Sequence, residues 1–265
     1  MEIKPEVTLV IFTHDNYMNA LPAVIEGTKN IQDEIVKRYI VSPNKIDVPG
    51  YINLNDDYLW TLFDPEFKYK KLYDRKWYRQ QILKLTIDYV DDIKDNILIV
   101  DGDVVISKPM RFIENGKINY YMAGEYERAF FNFNQKVIGL KKVRPDSFVS
   151  ETMIFHSTVL ESIRYYIRDF NRGEEWLSVI ERNLAMSLSS PATFCTTEVL
   201  SEYELYGSYV AEWYSDIVNK YIPPYDGHDY HPRIDVHGWR DKSPTELYEM
   251  IAKRSPHLMQ AVLFK

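Results

Sequence analysis

Cysteine is nearly missing from these 265 residues: Cys195 stands alone. One thiol can form no internal disulfide and no thiolate-rich metal site, so a reducing compartment, the cytoplasm, is the expected setting. Long apolar runs are missing as well, since no stretch approaches the roughly 20 residues that a spanning helix requires. The first apolar segment, residues 7–12, lacks a basic leader and a small-residue cleavage site, and reads as a buried strand. Peripheral contact with a membrane stays compatible with this composition. Positive charge is scarce: 32 Lys and Arg stand against 39 Asp and Glu, for a net charge of -7. With no basic run to neutralise successive phosphates, nucleic acid is not an expected partner, and a small anionic ligand would need a cation to mediate its binding. Internal repeats, low-complexity tracts and convincing linkers are also lacking.

What is present describes an enzyme-sized globular domain, with 45% hydrophobic and 27% charged residues. Strand-like and helix-like patterns alternate through the first half, which predicts an α/β domain with a largely parallel sheet. Strands are expected at 7–12, 37–41, 51–54 and 97–100, and helices at 18–29 and 77–87. Tyr78, Ile82 and Leu85 share one stripe of the second helix at helical spacing. In the second half, strands are expected at 118–123 and 148–155 and helices at 159–170 and 198–213. Pro223-Pro224 then opens a Tyr-, His- and Pro-rich loop ending in Asp235-Val236-His237-Gly238-Trp239-Arg240.

The chemistry concentrates at Asp101-Gly102-Asp103, directly after the apolar run Ile97-Leu98-Ile99-Val100. Ligands of open α/β sheets bind outside the carboxyl ends of the strands, so the location matters as much as the residues. Two carboxylates flanking a glycine can face one cation, the glycine letting the chain turn and keeping the approach open. Hard oxygen donors of this kind suit magnesium or manganese bridging two phosphates.

Residues 97–109, with the sequence Ile-Leu-Ile-Val-Asp-Gly-Asp-Val-Val-Ile-Ser-Lys-Pro, resemble the D-x-D segment of GT-A type nucleotide-sugar glycosyltransferases. Residues 77–84, 201–207 and 237–240 resemble segments of a poorly characterised bacterial and large-virus branch of those enzymes. The resemblance implies a GT-A-like, Rossmann-related fold: a mixed, mostly parallel sheet flanked by helices. One catalytic domain would span 1–265, with a nucleotide-sugar-binding half at about 1–125 and an acceptor-binding half at about 126–265. Its activity would be metal-dependent transfer, with Mn2+ or Mg2+, from a nucleoside-diphosphate sugar to a glycan or other hydroxyl acceptor. A UDP-sugar donor and inversion at the anomeric carbon are favoured.

Carried onto this chain, the resemblance implies that Asp103 ligates the metal and that Asp101 meets the donor ribose or reaches the metal through water. His237 becomes the third metal ligand and Arg240 a partner for a phosphate oxygen. Gln81 and Lys84 become donor-recognition residues, with Gln80 and Lys84 one turn apart on a common face. Thr13 and Asp15, at the end of the first strand, hold the nucleoside or serve as cap and turn residues. His237 has a second reading as a loop residue, and the polar helix positions as a solvated face.

Inversion requires a group that accepts the acceptor's proton. By position the candidates are Glu198, Glu202 and Glu204. Ser201-x-x-Glu204 fits a capping box, which would commit Glu204 to the backbone and leave Glu202 as the base, with Glu151 in reserve. Trp213, Tyr230 and Trp239 are candidate sugar platforms, because flat rings with one polar edge stack well on sugars. Two other readings compete. Residues 97–105 also look like the nucleophile strand of a haloacid-dehalogenase-type phosphatase, with Asp101 as nucleophile, although about a hundred residues precede the strand and no later Gly-Asp-x-x-x-Asp segment follows it. The third reading is a catalytically silent sugar-binding domain.

Overall fold

The structure, a computed structural model, describes residues 1–124, 126–189 and 198–223, the backbone of 233–235, and residues 246, 249 and 250. Cys195, Tyr230, His237, Trp239 and Arg240 lie outside the described residues. The first half runs β1 (Glu6–Phe12), α1 (Leu21–Gly27), β2 (Glu34–Ser42), β3 (Ile52–Asn55), α2 (Asp56–Thr61), α3 (Lys70–Tyr73), α4 (Lys76–Leu85) and β4 (Asn96–Asp101). Then follow β5 (Val104–Ile106), β6 (Ile113–Glu114), β7 (Lys117–Tyr121), α5 (Arg128–Ile138), β8 (Thr152–His156), α6 (Ser157–Phe170), α7 (Trp176–Leu188), α8 (Glu202–Trp213), β9 (Val218–Ile222) and β10 (Arg233–Asp235).

The main sheet has the order β3-β2-β1-β4-β8. Its first four strands are parallel and β8 runs antiparallel to β4 at the edge. This is the largely parallel sheet that the alternating pattern predicts, in the mixed, helix-flanked form that the resemblance implies. The central strands carry apolar residues on both faces because helices cover both faces. Val7, Leu9, Val10, Ile11 and Phe12 of β1 are buried, as are Ile97, Leu98, Ile99 and Val100 of β4. Each such side chain removed from water contributes about 1.5–3 kcal/mol. Two small sheets complete the architecture, β6-β7-β9 and the antiparallel pair β5-β10. In that pair Asp235 stands opposite Val104, the residue after the Asp-Gly-Asp segment.

Two helices matter most to the site. In α4, Tyr78, Ile82 and Leu85 are buried as their spacing predicts, but Gln81 and Lys84 are buried too. A second helix, α8, packs against α4, which leaves those two positions no water. Ser201 caps α8 by accepting from the Glu204 amide at 3.3 Å, and every residue from Glu202 to Val210 is buried. Gly207 sits in the middle of this helix, where any Cβ would fall on the Phe148 ring. Among the described residues no helix is long and apolar enough to cross a membrane.

Candidate active site

The parallel arrangement puts the carboxyl ends of β1, β2 and β4 on one side of the sheet, where two cavities open. One, of about 390 Å³, is lined by Asp101, Asp103, Lys84, Glu151, Glu198 and Glu202, among others. The second, of about 210 Å³, lies against Thr13, Asp15, Asp56 and Arg79. The cavities share walls made by Phe12, His14, Lys76 and Gln80.

At the base of the larger cavity a lysine bridges two carboxylates. Lys84 Nζ lies 2.6 Å from Asp101 Oδ1 and 2.6 Å from Glu202 Oε1. The Tyr203 hydroxyl donates to the same Asp101 oxygen at 3.1 Å, and the ammonium sits over the Tyr203 ring, 4.4 Å from its centroid. Burial disfavours the Lys84 charge, but the fields of Asp101 and Glu202 outweigh it and hold the ammonium protonated above its ordinary range. Burial also pushes the Asp101 carboxyl upward, opposed by Lys84 and assisted by Glu202 and Asp103. It raises Glu202 in the same way, again against the pull of Lys84.

This cluster corrects several expectations. Glu202 is not an available base: its side chain is 1% exposed and bound to Lys84. Lys84, also 1% exposed, is committed to carboxylates rather than presented to a donor. Gln81 accepts from the Glu202 amide at 3.2 Å, so it satisfies the first turn of α8. The capping box forms only by half, for although Ser201 caps, the Glu204 carboxylate turns inward. It accepts from the Phe148 amide at 2.9 Å and from the Ser147 hydroxyl at 3.3 Å. Trp213 packs with tilted rings against Tyr166 and Tyr209 at the far end of α8 and lines neither cavity. Gln80, read from sequence as sharing a helix face with Lys84, lines the site, and so does Tyr203, which was not singled out although it lies inside a segment that carried the resemblance.

The glycine of the Asp-Gly-Asp segment has a different reason from the one spacing suggests. Gly102 is not among the residues in left-handed conformation. It is there because its amide donates to the Phe12 carbonyl at 2.7 Å, and a Cβ would stand 2.5 Å from Thr13 Cβ and 2.8 Å from the Phe12 oxygen. Close approach of β4 to the end of β1 thus sets the residue. Gly102→Ala is expected to destabilise the fold by about 1–3 kcal/mol, the usual cost of overpacking. A thermal melt within 1 °C of the wild type would show that this junction yields.

Thr13 and Asp15 make strand-end and turn contacts beside the smaller cavity. The Thr13 amide donates to the Val41 carbonyl at 2.9 Å, tying β1 to β2. Its hydroxyl is buried with no hydrogen-bond partner among the described residues, beside the smaller cavity. Asp15 opens a 3-10 turn and accepts from Asn44 at 2.8 and 2.9 Å. Asp103 is half-buried and lines the larger cavity. Among the described residues no three His, Cys, Asp or Glu side chains are gathered as a metal site.

Residues 9–228, from β1 to just past β9, match the model of a family of unknown function, DUF6492, and the chain belongs to that family. No curated protein matches it. Among solved structures it is similar to the galactosyltransferase LgtC in complex with donor and acceptor sugar analogs. That similarity covers 93% of this chain and 95% of LgtC, at 10% identity and a TM-score of 0.39.

Proposed function

We propose that this chain is a metal-dependent glycosyltransferase acting on a nucleoside-diphosphate sugar. One observation carries the reading: Asp101 and Asp103, at the carboxyl end of β4, line a 390 Å³ cavity that shares its walls with a smaller one of 210 Å³ at the ends of β1 and β2. Two joined compartments suit a two-part ligand, with the nucleoside against Thr13 and Asp15 and the sugar diphosphate against the carboxylates. The donor set fits a hard cation. Asp103 would hold Mn2+ or Mg2+, and Asp101, fixed by Lys84 and Tyr203, would orient a water on it or the donor ribose. Such a cation neutralises the diphosphate and stabilises it as the leaving group.

Without that charge, carboxylates and diphosphate repel each other across the same space. His237 as a further ligand and Arg240 on a phosphate oxygen belong to this proposal. Their segment follows β10, whose Asp235 stands opposite Val104, the residue after the Asp-Gly-Asp segment. Residues of about 1–125 would form the donor half and 126–265 the half that takes a glycan or other hydroxyl acceptor. UDP is the favoured nucleotide.

The test is slow hydrolysis of UDP-sugars with water as acceptor. Manganese-dependent release of free sugar and UDP, abolished by chelator, is the expected result. Release of inorganic phosphate from simple phosphate esters, lost in Asp101→Asn, would instead establish the phosphatase reading. Binding without any turnover would leave a sugar-binding domain.

A further inference from the structure

Five non-glycine residues among those described have a left-handed backbone: Phe67, Asp95, Asn115, Glu151 and Arg172. Only Glu151 of these lines either cavity at the sheet's end. Its φ is +57°, a region that side chains other than Asn and Asp rarely occupy. A glycine would remove the strain, yet the position carries a long acidic side chain.

The surroundings over-determine this backbone. Glu151 immediately precedes β8, whose Thr152 pairs with Val100 of β4. Its carbonyl accepts from the Asp101 amide at 3.0 Å, so its position is referenced directly to the Asp-Gly-Asp segment. The preceding turn is braced as well, because the Ser150 amide donates to the Phe148 carbonyl at 2.7 Å and the Ser150 hydroxyl donates to the Thr152 carbonyl at 3.1 Å. Strain that persists under such bracing at a cavity wall is the pattern of a functional position.

Asp101, Asp103, Glu151, Glu198 and Glu202 all line the larger cavity, and of these only Glu151 has the left-handed backbone.

We infer that Glu151 is the carboxylate that takes the acceptor's proton, an assignment that rests on the glycosyltransferase reading. As the acceptor oxygen forms its bond to the anomeric carbon, its proton passes to the Glu151 carboxylate. The anomeric carbon's bond to the phosphate oxygen breaks, and that electron pair leaves on the nucleoside diphosphate. The sugar is delivered with inverted configuration, and Glu151 returns its proton to water.

Two substitutions test this, with UDP-glucose and UDP-galactose as probes, manganese present and water as acceptor. Glu151→Gln keeps the size of the side chain, whereas Glu151→Gly removes both the strain and the carboxylate. Both are expected to lose at least a hundredfold in kcat, with KM for the nucleotide sugar changed by less than about threefold. Glu151→Gly should at the same time melt about 2–4 °C higher than the wild type. Early NMR spectra of the wild-type reaction should show the β-anomer of the released sugar first.

A Glu151→Gly protein that gains stability and keeps wild-type turnover would make Glu151 a turn residue only and overturn the assignment. So would a retained anomer, or a Glu198→Gln variant that loses turnover while Glu151→Gln does not. A wild type that hydrolyses neither nucleotide sugar overturns the glycosyltransferase reading for these donors and this assignment with it, an outcome distinguishable because no variant is needed to see it.

Discussion

Replacing Lys84 with methionine is expected to lower the melting temperature by about 10 °C. Methionine keeps most of the volume, so packing is preserved while the charge is lost. Asp101 and Glu202 are then left buried without their counter-ion, and removing one partner of a buried ion pair costs about 3–5 kcal/mol. For a chain of this size each kilocalorie per mole moves the melting point by roughly 2–4 °C. Glu202→Gln should cost less, because Lys84 keeps Asp101 as a partner.

The deficit should also depend on pH, with a definite sign. Burial already holds the Glu202 carboxyl above its ordinary 4.5, with Lys84 pulling the other way. Without Lys84 the folded variant keeps a proton that the unfolded chain gives up above about pH 4.5. That contribution is fully present below the unfolded value and is lost as pH rises through the folded one. The gap to the wild type should therefore widen between pH 5 and 8 and narrow toward about pH 4. A Lys84→Met protein that melts within 2 °C of the wild type at pH 8 would show that the bridge contributes no stability.

Asp103→Asn is expected to behave in the opposite way, losing activity while the fold stands. Asp103 is half-buried at the cavity wall and outside the Lys84 bridge, so its melting temperature should move by no more than about 2 °C. A bound divalent cation supplies several kilocalories per mole to a departing phosphate, and about 4 kcal/mol corresponds to a thousandfold in rate. Turnover of a UDP-sugar should fall at least that far, and manganese should no longer strengthen UDP binding in calorimetry. A variant that keeps manganese-dependent binding would move the cation away from Asp103.

The sheet was legible in the sequence because its strands are long apolar runs closed by turn residues, as at 7–12 and 97–100. Its neighbours were less so. In α5 the buried Phe130, Phe133, Val137 and Ile138 follow helical spacing, but aromatic and Asn residues with low helix propensity masked the period. The strands β5 and β6 are too short to carry a period at all. Within the site, the Asp-Gly-Asp segment could be read because its chemistry is local. The role of Lys84 could not, since its partner Glu202 is 118 residues away and nothing local to α4 marks position 84 as buried. For the same reason Glu202 passed for an available base, although Lys84 holds it. Glu151 was visible as a residue type, whereas its strained backbone is a property of the junction between β4 and β8.

Gly207 has a consequence for how the two sides of the cavity stay in register. A glycine inside a helix costs about 1 kcal/mol relative to alanine, and here it lets the Phe148 ring pack directly against the backbone of α8. Phe148 begins the turn that presents Glu151, while the same helix carries Glu202 and Tyr203 at its start. The missing side chain therefore works as a spacer of fixed thickness between the helix that anchors Asp101 and the turn that carries Glu151. A methyl group there would act as a shim, driving the turn outward, and a displacement of about 1 Å at a reacting group can cost a hundredfold in rate.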